Sequence, residues 1–596
     1  MNFSKLSGFF QQIENTSSRL EITRHLSNLY KDLTPSEIQQ TTYLLQGRLG
    51  PLYSKLEFGI AEKTVIKAVT LALQIDKTDF MKLYNKIGDV GEAVEHFKKE
   101  IHSIEEEEIS IKDVYDALYK LAQSAGSGSQ EKKVSILSYL IRRSDPVSSR
   151  YLVRIPLGVM RLGFSDMTVL DALSWMAVGD KRLRPEIQKA YHVHPDLGLI
   201  GRLMKEKGVK ALNKITPLIF TPILMMRAER LPSTEEIIKK IGTCLVESKY
   251  DGFRLQVHYQ KATHTVKLYS RNLDEVSFMY PDLIEGVKKE IKCKSDVILE
   301  GEAIGFDPQT GSFLPFQETV SRKRKYGIED KVKEIPLKLF AFDLLYMDGE
   351  SCINVPFASR RKKLEKIIHI KHDVFVDTII PSECKEVSTG HAMELLFDDA
   401  ISRGLEGIIA KKIDGVYSPG ARGWNWIKFK RSYSSKIEDT IDMLVMGYDF
   451  GRGKRTSFGI GAFLVGVLDA KSDTYVTMAK IGTGLTDDEW RTLRTRAEKY
   501  KTTKKPSQYD VDSGMNVDQW VSPELVVEIK ADEITRSPVH TAGRKLKTSK
   551  SGQALEIDVP GYALRFPRLE HFREDKRPED ITSLSEVAKM FKAQGK

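Results

Sequence analysis

Cysteine is scarce in this chain: four residues in 596 (Cys244, Cys293, Cys352 and Cys384), far apart and without a CxxC pair. That excludes a cysteine-built zinc site and a disulfide framework, and free thiols suit a reducing compartment. The twelve histidines contain no HExxH or similar spacing, which removes catalytic zinc from consideration. No apolar run approaches the ~20 residues that a membrane span needs, and the opening MNFSKLSGFFQQIENTSS has no long apolar stretch. The expectation is an intracellular protein without membrane contact, cytoplasmic or nucleoid-associated, or nuclear in a eukaryote. GRGKRTS (Gly451 to Ser457) is rich in glycine and basic residues but departs from GxxxxGK[ST], so it is not a Walker A loop. No internal repeat stands out.

What is present is enough apolar sequence, 41%, to fill several cores, and a length that suggests about three to four domains. Lys and Arg exceed Asp and Glu by 92 to 82, a net charge of +10, which leaves room for a polyanionic partner without requiring one. Residues 1–213 read as all helical. Thr34-Pro35-Ser36-Glu37 is a capping box with proline at the first helical position, and amphipathic stretches such as IKDVYDALYKLA follow. Ser124 to Ser129 breaks two helices, and Glu105 to Glu108 reads as a solvated helix face. Over 214–433 short β-rich segments alternate with helices, one opening at Ser233 to Glu236, which is an α+β pattern. Over 434–596 the strands become regular and glycine-punctuated, with one helix beginning at Thr486. This suits a small β-barrel of the OB type.

The segment with the sharpest chemistry is Lys249-Tyr250-Asp251-Gly252-Phe253-Arg254. A strand ending at Glu247 and a turn at Asp251-Gly252 would present the Lys249 amine from a tight loop. Phe253, Leu255, Val257 and Tyr259 alternate with Arg254, Gln256 and His258, leaving Arg254 on the open face. Taken alone, a surface hairpin accounts for this equally well. Trp426-Ile427-Lys428-Phe429-Lys430 puts two apolar residues on one face and two lysines on the other. Those lysines repel each other unless an anion, such as a phosphate chain, lies between them. Ser270-Arg271-Asn272 alone is a polar turn, Glu300-Gly301-Glu302 a strand edge, Phe342 a core residue, and Glu406 with Lys411 a surface ion pair.

In this order, KYDGFR, SRN, LEGEA, FAFDLLYMDG, EGIIAKK and WIKFKRSY resemble the nucleotidyltransferase motifs shared by ATP-dependent DNA ligases, RNA ligases and mRNA-capping enzymes. RFPRLEHFREDKRPED (Arg565 to Asp580) resembles the last ligase motif. LLQGRLGP (Leu44 to Pro51) and LVRIPLGVMRLGFSDMTVLDALS resemble the DNA-binding domain of archaeal and eukaryotic replicative ligases. Glu300 departs from the Asp that many ligases carry there. The resemblance implies a helical DNA-binding domain (1–213), an adenylation domain (214–433) and an OB-fold domain (434–596). It implies sealing of nicks in duplex DNA through a lysine–AMP intermediate on Lys249, with ATP and Mg2+ as cofactors. By the same resemblance, Glu247 accepts a hydrogen bond from the adenine amino group and Phe342 stacks on the base. Arg254, Arg271 and Glu302 hold ribose and phosphate, Glu302 and Glu406 place Mg2+, and Lys411, Lys428 and Lys430 neutralise the triphosphate with help from Arg422. A hinge near Asp439 to Asp442 would let the OB domain close.

Nicked double-stranded DNA is then the partner, held through phosphates by a monomer. Arg48, Arg154 and Arg161 are candidate contacts, with a surface arginine or a helix ion pair the alternative for each. A sliding clamp is a further partner that the resemblance implies, although no QxxΦxxFF-like box (Φ, apolar) is present. Ser321 to Lys325 reads as a solvated loop or DNA-backbone contact, or as a nuclear-import signal. An RNA ligase or capping enzyme, and a non-catalytic nick-binding protein, remain the rival readings.

Overall fold

The computed structural model describes the chain apart from residues 102–105, 308, 310–312, 315, 325–326, 370, 372, 374, 404, 431–439, 452–457, 483–484, 549–554 and 595–596. Glu105, Lys325, most of the Gly451 to Ser457 loop and the 433/434 boundary with Asp439 therefore lie outside the described residues. The described chain forms two compact units, Met1–Lys430 and Arg431–Lys596.

The first unit opens with α-helices from Phe3–Glu14 to Leu197–Lys207, wrapped around one apolar core that includes Phe10, Leu26, Tyr151 and Leu173. Thr34 and Glu37 exchange the two hydrogen bonds of a capping box, with Pro35 at the helix start. Helices Ile111–Gln123 and Ser129–Arg143 are separated at Gly126 and Gly128, both left-handed, where glycine carries no steric penalty. Arg154 is not available to DNA. It is 2% exposed and clamped by Glu14 (2.9 Å) and Asp89 (3.1 Å), because its helix faces inward there. Arg161 pairs with the same Asp89 at 3.0 Å but keeps a third of its side chain exposed.

The α+β part carries eleven strands: β1 (Arg227–Arg230), β2 (Cys244–Lys249), β3 (Phe253–Gln260), β4 (Thr265–Ser270), β5 (Val297–Gly305), β6 (Leu337–Met347), β7 (Glu350–Ser351), β8 (Ile379–Pro381), β9 (Cys384–Val387), β10 (Gly407–Lys412) and β11 (Arg422–Lys430). They form two sheets, one ordered β1-β11-β10-β2-β9 and the other β4-β3-β5-β6-β7 with β8 beside β6. The β2–β3 turn crosses from one sheet to the other. Trp426, Tyr417, Leu345 and Ile298 form an apolar cluster that Phe342 packs against. The segment before β1 is held to the second sheet by buried polar groups. Gln256 Oε1 accepts from the Ile223 amide (2.7 Å), and His258 Nδ1 accepts from the Phe220 amide (3.0 Å). Burial, with Lys267 nearby, pushes His258 down to about 3, so it stays the neutral acceptor this bond requires. Lys55 of the helical part forms an ion pair with Glu275 beside the β4 turn.

In the second unit β12 (Ile441–Phe450), β13 (Ile460–Asp469) and β14 (Thr474–Ile481) form an antiparallel meander. One half of β12 pairs with Val526–Lys530 and the other with Gln519–Val521, so the sheet curls around Met443, Val465 and Val527 as an OB-type half-barrel. The helix Asp487–Lys499 starts in a capping box at Thr486, where the sequence places it. The basic run at Ser321 is not a free solvated loop throughout: Arg322 is buried and paired with Asp282 at 2.6 Å.

Candidate active site

Strand register assembles the site on the first sheet. Gly407 of β10 stands opposite Lys249 of β2 on one side and Lys430 of β11 on the other; Ile409 stands likewise between Glu247 and Lys428. Period-two alternation therefore sets Glu247, Lys249, Lys428 and Lys430 on one face. Ile427 and Phe429 are buried on the other, as their spacing predicts.

Lys249 is the last residue of β2 rather than part of a loop beginning after Glu247. The reason lies across the sheet, where the Glu406 amide donates to the Lys249 carbonyl at 3.0 Å. Gly407 adopts φ +146°, and a side chain there would meet the Phe429 carbonyl at 2.2 Å. Gly252 is equally required, because a Cβ would lie 2.1 Å from the Ala303 carbonyl. The two glycines let three strands close on the lysine.

At this end of the site the Glu406 carboxylate bridges Lys249 and Lys430, one oxygen to each. Lys428 lies one row deeper, level with Glu247, and burial lowers its pKa, helped by Lys249, Arg422, Arg230 and Arg271. Among the described residues no carboxylate is paired with it. Arg271, just past β4, and Arg422, at the start of β11, are exposed. The result is a basic mouth that repels itself until an anion enters.

About two residues deeper, or ~7 Å along β2, lies a pocket of different character. Phe342 and Trp426 meet edge to face, with centroids 5.9 Å apart. The Arg254 guanidinium lies 5.2 Å from the Phe342 ring and 5.3 Å from the Trp426 ring. Its Nη2 donates to Glu300 at 2.6 Å and its Nη1 to the Met226 carbonyl at 2.6 Å. Burial opposes that charge, but Glu300 holds the guanidinium pKa above its usual range. Glu300, the departure from Asp, is fully buried and also accepts from Tyr417 (2.8 Å) and Gln256 (3.1 Å).

Lys411 departs from its expected place. It is 1% exposed, with Nζ 2.6 Å from Glu247 and 2.9 Å from the Phe342 carbonyl, beneath three aromatic rings. Its strand position is level with Trp426, at the deep end, so it serves Glu247 rather than the basic mouth. Glu302 is half-buried near Lys249 and Asp251, and desolvation raises it to about 7 against the pull of Lys249 and Arg254.

That elevation has a measurable consequence. A carboxyl whose folded pKa lies above its ordinary value binds a proton more tightly when folded. Its stabilising contribution is full below about pH 4.5 and is lost as the pH rises through about 7. The nucleotide-free protein should therefore lose more Tm between pH 5 and pH 8 than Glu302→Gln does. Parallel profiles would show that Glu302 is ordinary.

Behind the pocket Arg361 holds Glu247 and Tyr417 holds Glu300, contacts that sequence spacing does not reveal. Each pair is separated by more than a hundred residues, 114 for Arg361 and Glu247 and 117 for Tyr417 and Glu300. Arg230 adds to the mouth because parallel pairing sets it against Lys428.

The model described as "ATP dependent DNA ligase domain" matches residues 225–430, "DNA ligase N terminus" matches 2–174, and "ATP dependent DNA ligase C terminal region" matches 456–576. A "Probable DNA ligase" of Dictyoglomus turgidum is 44% identical over 598 residues, spanning 100% of this chain and 98% of that protein. "DNA ligase 2" of Thermofilum pendens is 40% identical over 609 residues, with 100% and 98% covered. A solved structure named Pmar-Lig_PreS3 shares the fold at TM-score 0.53 and 18% identity, covering 95% of this chain and 99% of that one. Among the described residues no helix is long and apolar enough to cross a membrane. With family models matched along its length and relatives 40–44% identical over all of it, the chain belongs to the ATP-dependent DNA ligase family.

Proposed function

We propose that Lys249 is the nucleophile of an ATP-dependent nick-sealing reaction, with the base lodged against Phe342 and beside Glu247 and the phosphates in the basic mouth. The observation that carries this reading is the shared face of β2, β10 and β11. It sets Lys249 across β10 from Lys430, and Glu247, two residues deeper, across from Lys428. Lys249 Nζ would bond to the α-phosphorus while the bond to pyrophosphate breaks. Lys428, Lys430, Arg271 and Arg422 would neutralise the departing charge. AMP would then pass to the 5′-phosphate of a nick, and the 3′-hydroxyl would displace it.

The ion pair with Glu406 favours an ammonium, which has no lone pair to attack. Before attack that ammonium would lose its proton to solvent, a loss that the neighbouring Lys428 and Lys430 cations would favour, leaving the neutral amine with its lone pair. Arg254, held by Glu300 and Met226, would orient the ribose beneath Phe342. The donor set fits a hard cation: Glu302 is a half-buried carboxyl raised toward neutrality, with Asp251 close by, and a cation would restore its charge. Glu302 and Glu406 would hold Mg2+, which would supply charge neutralisation at the phosphates. We assign the protein a monomeric state on nicked duplex DNA and keep a sliding clamp as a partner to be tested.

Intact mass before and after incubation with ATP and Mg2+ tests the reading. A gain of one AMP supports it, and an unchanged mass overturns it. DNA affinity should be salt-dependent, because phosphate contacts release counterions. From 50 to 200 mM salt, nicked-duplex binding should weaken by about 10-fold or more. A flat response would remove the phosphate-dominated interface.

A further inference from the structure

We infer that Arg361 is a positioning residue for base recognition: it fixes Glu247 so that the pocket accepts adenine and turns away guanine. The inference rests on the base placement proposed above and extends it to a residue behind the pocket.

Arg361 belongs to the helix Phe357–Ile367 and is buried. Its Nη1 donates to Glu247 Oε1 at 3.1 Å and to Ser382 Oγ at 3.1 Å, its Nη2 to the Ser382 carbonyl, and its Nε to Glu365 at 2.7 Å. Every nitrogen of the guanidinium is used, so the group has one orientation. Lys411 takes the other Glu247 oxygen at 2.6 Å. A buried carboxylate held at both oxygens by cations cannot turn about its terminal torsion, yet each oxygen keeps a second lone pair. What it offers a base is acceptors only. Adenine brings an amino donor at its 6-position, whereas guanine brings a carbonyl acceptor there, which faces the carboxylate unpaired. Sites that offer a fixed hydrogen-bonding group discriminate strongly, because the wrong ligand leaves a buried polar group unsatisfied.

The two cations differ in what else they do. Lys411 also touches the Phe342 carbonyl and the aromatic rings, so changing it disturbs the pocket itself. None of the Arg361 contacts involves the mouth, Phe342 or Lys249. Without Arg361, Glu247 keeps one anchor and can rotate.

The test uses the full chain with Arg361→Met and Arg361→Lys, labelled ATP and GTP over a concentration range, and a nick already carrying AMP. Wild type should prefer ATP. In Arg361→Met the KM for ATP in self-adenylation should rise by about 10-fold. The ATP-to-GTP ratio of kcat/KM should fall by about the same factor. Sealing of the pre-adenylated nick should stay within about 2-fold of wild type. In Arg361→Lys, whose single ammonium lacks the planar fork that reaches Glu247, Ser382 and Glu365 together, the ratio should fall to an intermediate value. Equal losses with ATP and GTP, or a fall in kcat at unchanged KM, would reduce Arg361 to a packing role and overturn the inference. If Arg361→Met does not fold, an unchanged ratio in Arg361→Lys overturns it. Failure of wild type to take up AMP would instead remove the nucleotide reading of the site.

Discussion

Lys249→Ala should carry no AMP adduct after incubation with ATP and Mg2+, and its sealing of ordinary nicks should fall by about 10⁴-fold or more. A removed nucleophile leaves only binding and charge stabilisation, and no neighbouring group substitutes for it. Lys430 shares Glu406 with Lys249 but lies two strands away across Gly407, and Lys428 lies one row deeper, level with Glu247. Neither can reach the same phosphorus along the same line. Lys249→Arg should fail equally, because a guanidinium stays protonated and is no nucleophile. A nick that already carries AMP should still be sealed, since the attacking group is then the 3′-hydroxyl. Intact mass and gel-based sealing of both substrates measure this. An adduct persisting in Lys249→Ala, or mapping to Lys428 or Lys430, would sink the assignment.

Much of this site was legible because the chemistry is carried by local pattern. Alternation alone puts Lys428 and Lys430 on one face, and the motif order identifies Lys249, Glu302 and Glu406. What pattern cannot supply is the partner across the fold. The Glu406–Lys411 pair suggested by their shared strand does not form; Glu406 binds the lysines of the two neighbouring strands, and Lys411 binds Glu247. Arg154 looked as available to DNA as Arg161, because the sequence does not say that, of two arginines sharing Asp89, Arg154 is the one also held by Glu14 and buried. Arg322 likewise leaves the basic run and is buried against Asp282. Burial of charge is decided by tertiary contacts, so the basic residues are where spacing misleads most.

The same reasoning identifies the costliest substitution for folding. Asp343 follows Phe342 on β6 and faces away from the pocket, where it meets Arg360 with both side chains 0% exposed. The contact is two-pronged, Nε to Oδ1 at 2.7 Å and Nη2 to Oδ2 at 2.9 Å, a geometry that fits the planar guanidinium to the carboxylate. Arg360 also donates to the Val355 carbonyl and, at 3.1 Å, to the Gly415 carbonyl, tying its helix to the chain that leads into Tyr417 and β11. Arg360→Met should therefore cost about 3–5 kcal/mol, because Asp343 is left charged, buried and alone. Urea denaturation of the full chain and the decline in Tm measure it. The loss should be mostly recovered in Arg360→Met/Asp343→Leu, since replacing both partners of a buried ion pair by apolar groups removes the desolvation cost along with the attraction. AMP uptake per folded molecule should recover with it, because Phe342 is then again held by a packed strand. A double variant as unstable as the single one would mean that the Arg360 bonds to Val355 and Gly415, rather than the charge pair, hold this side of β6.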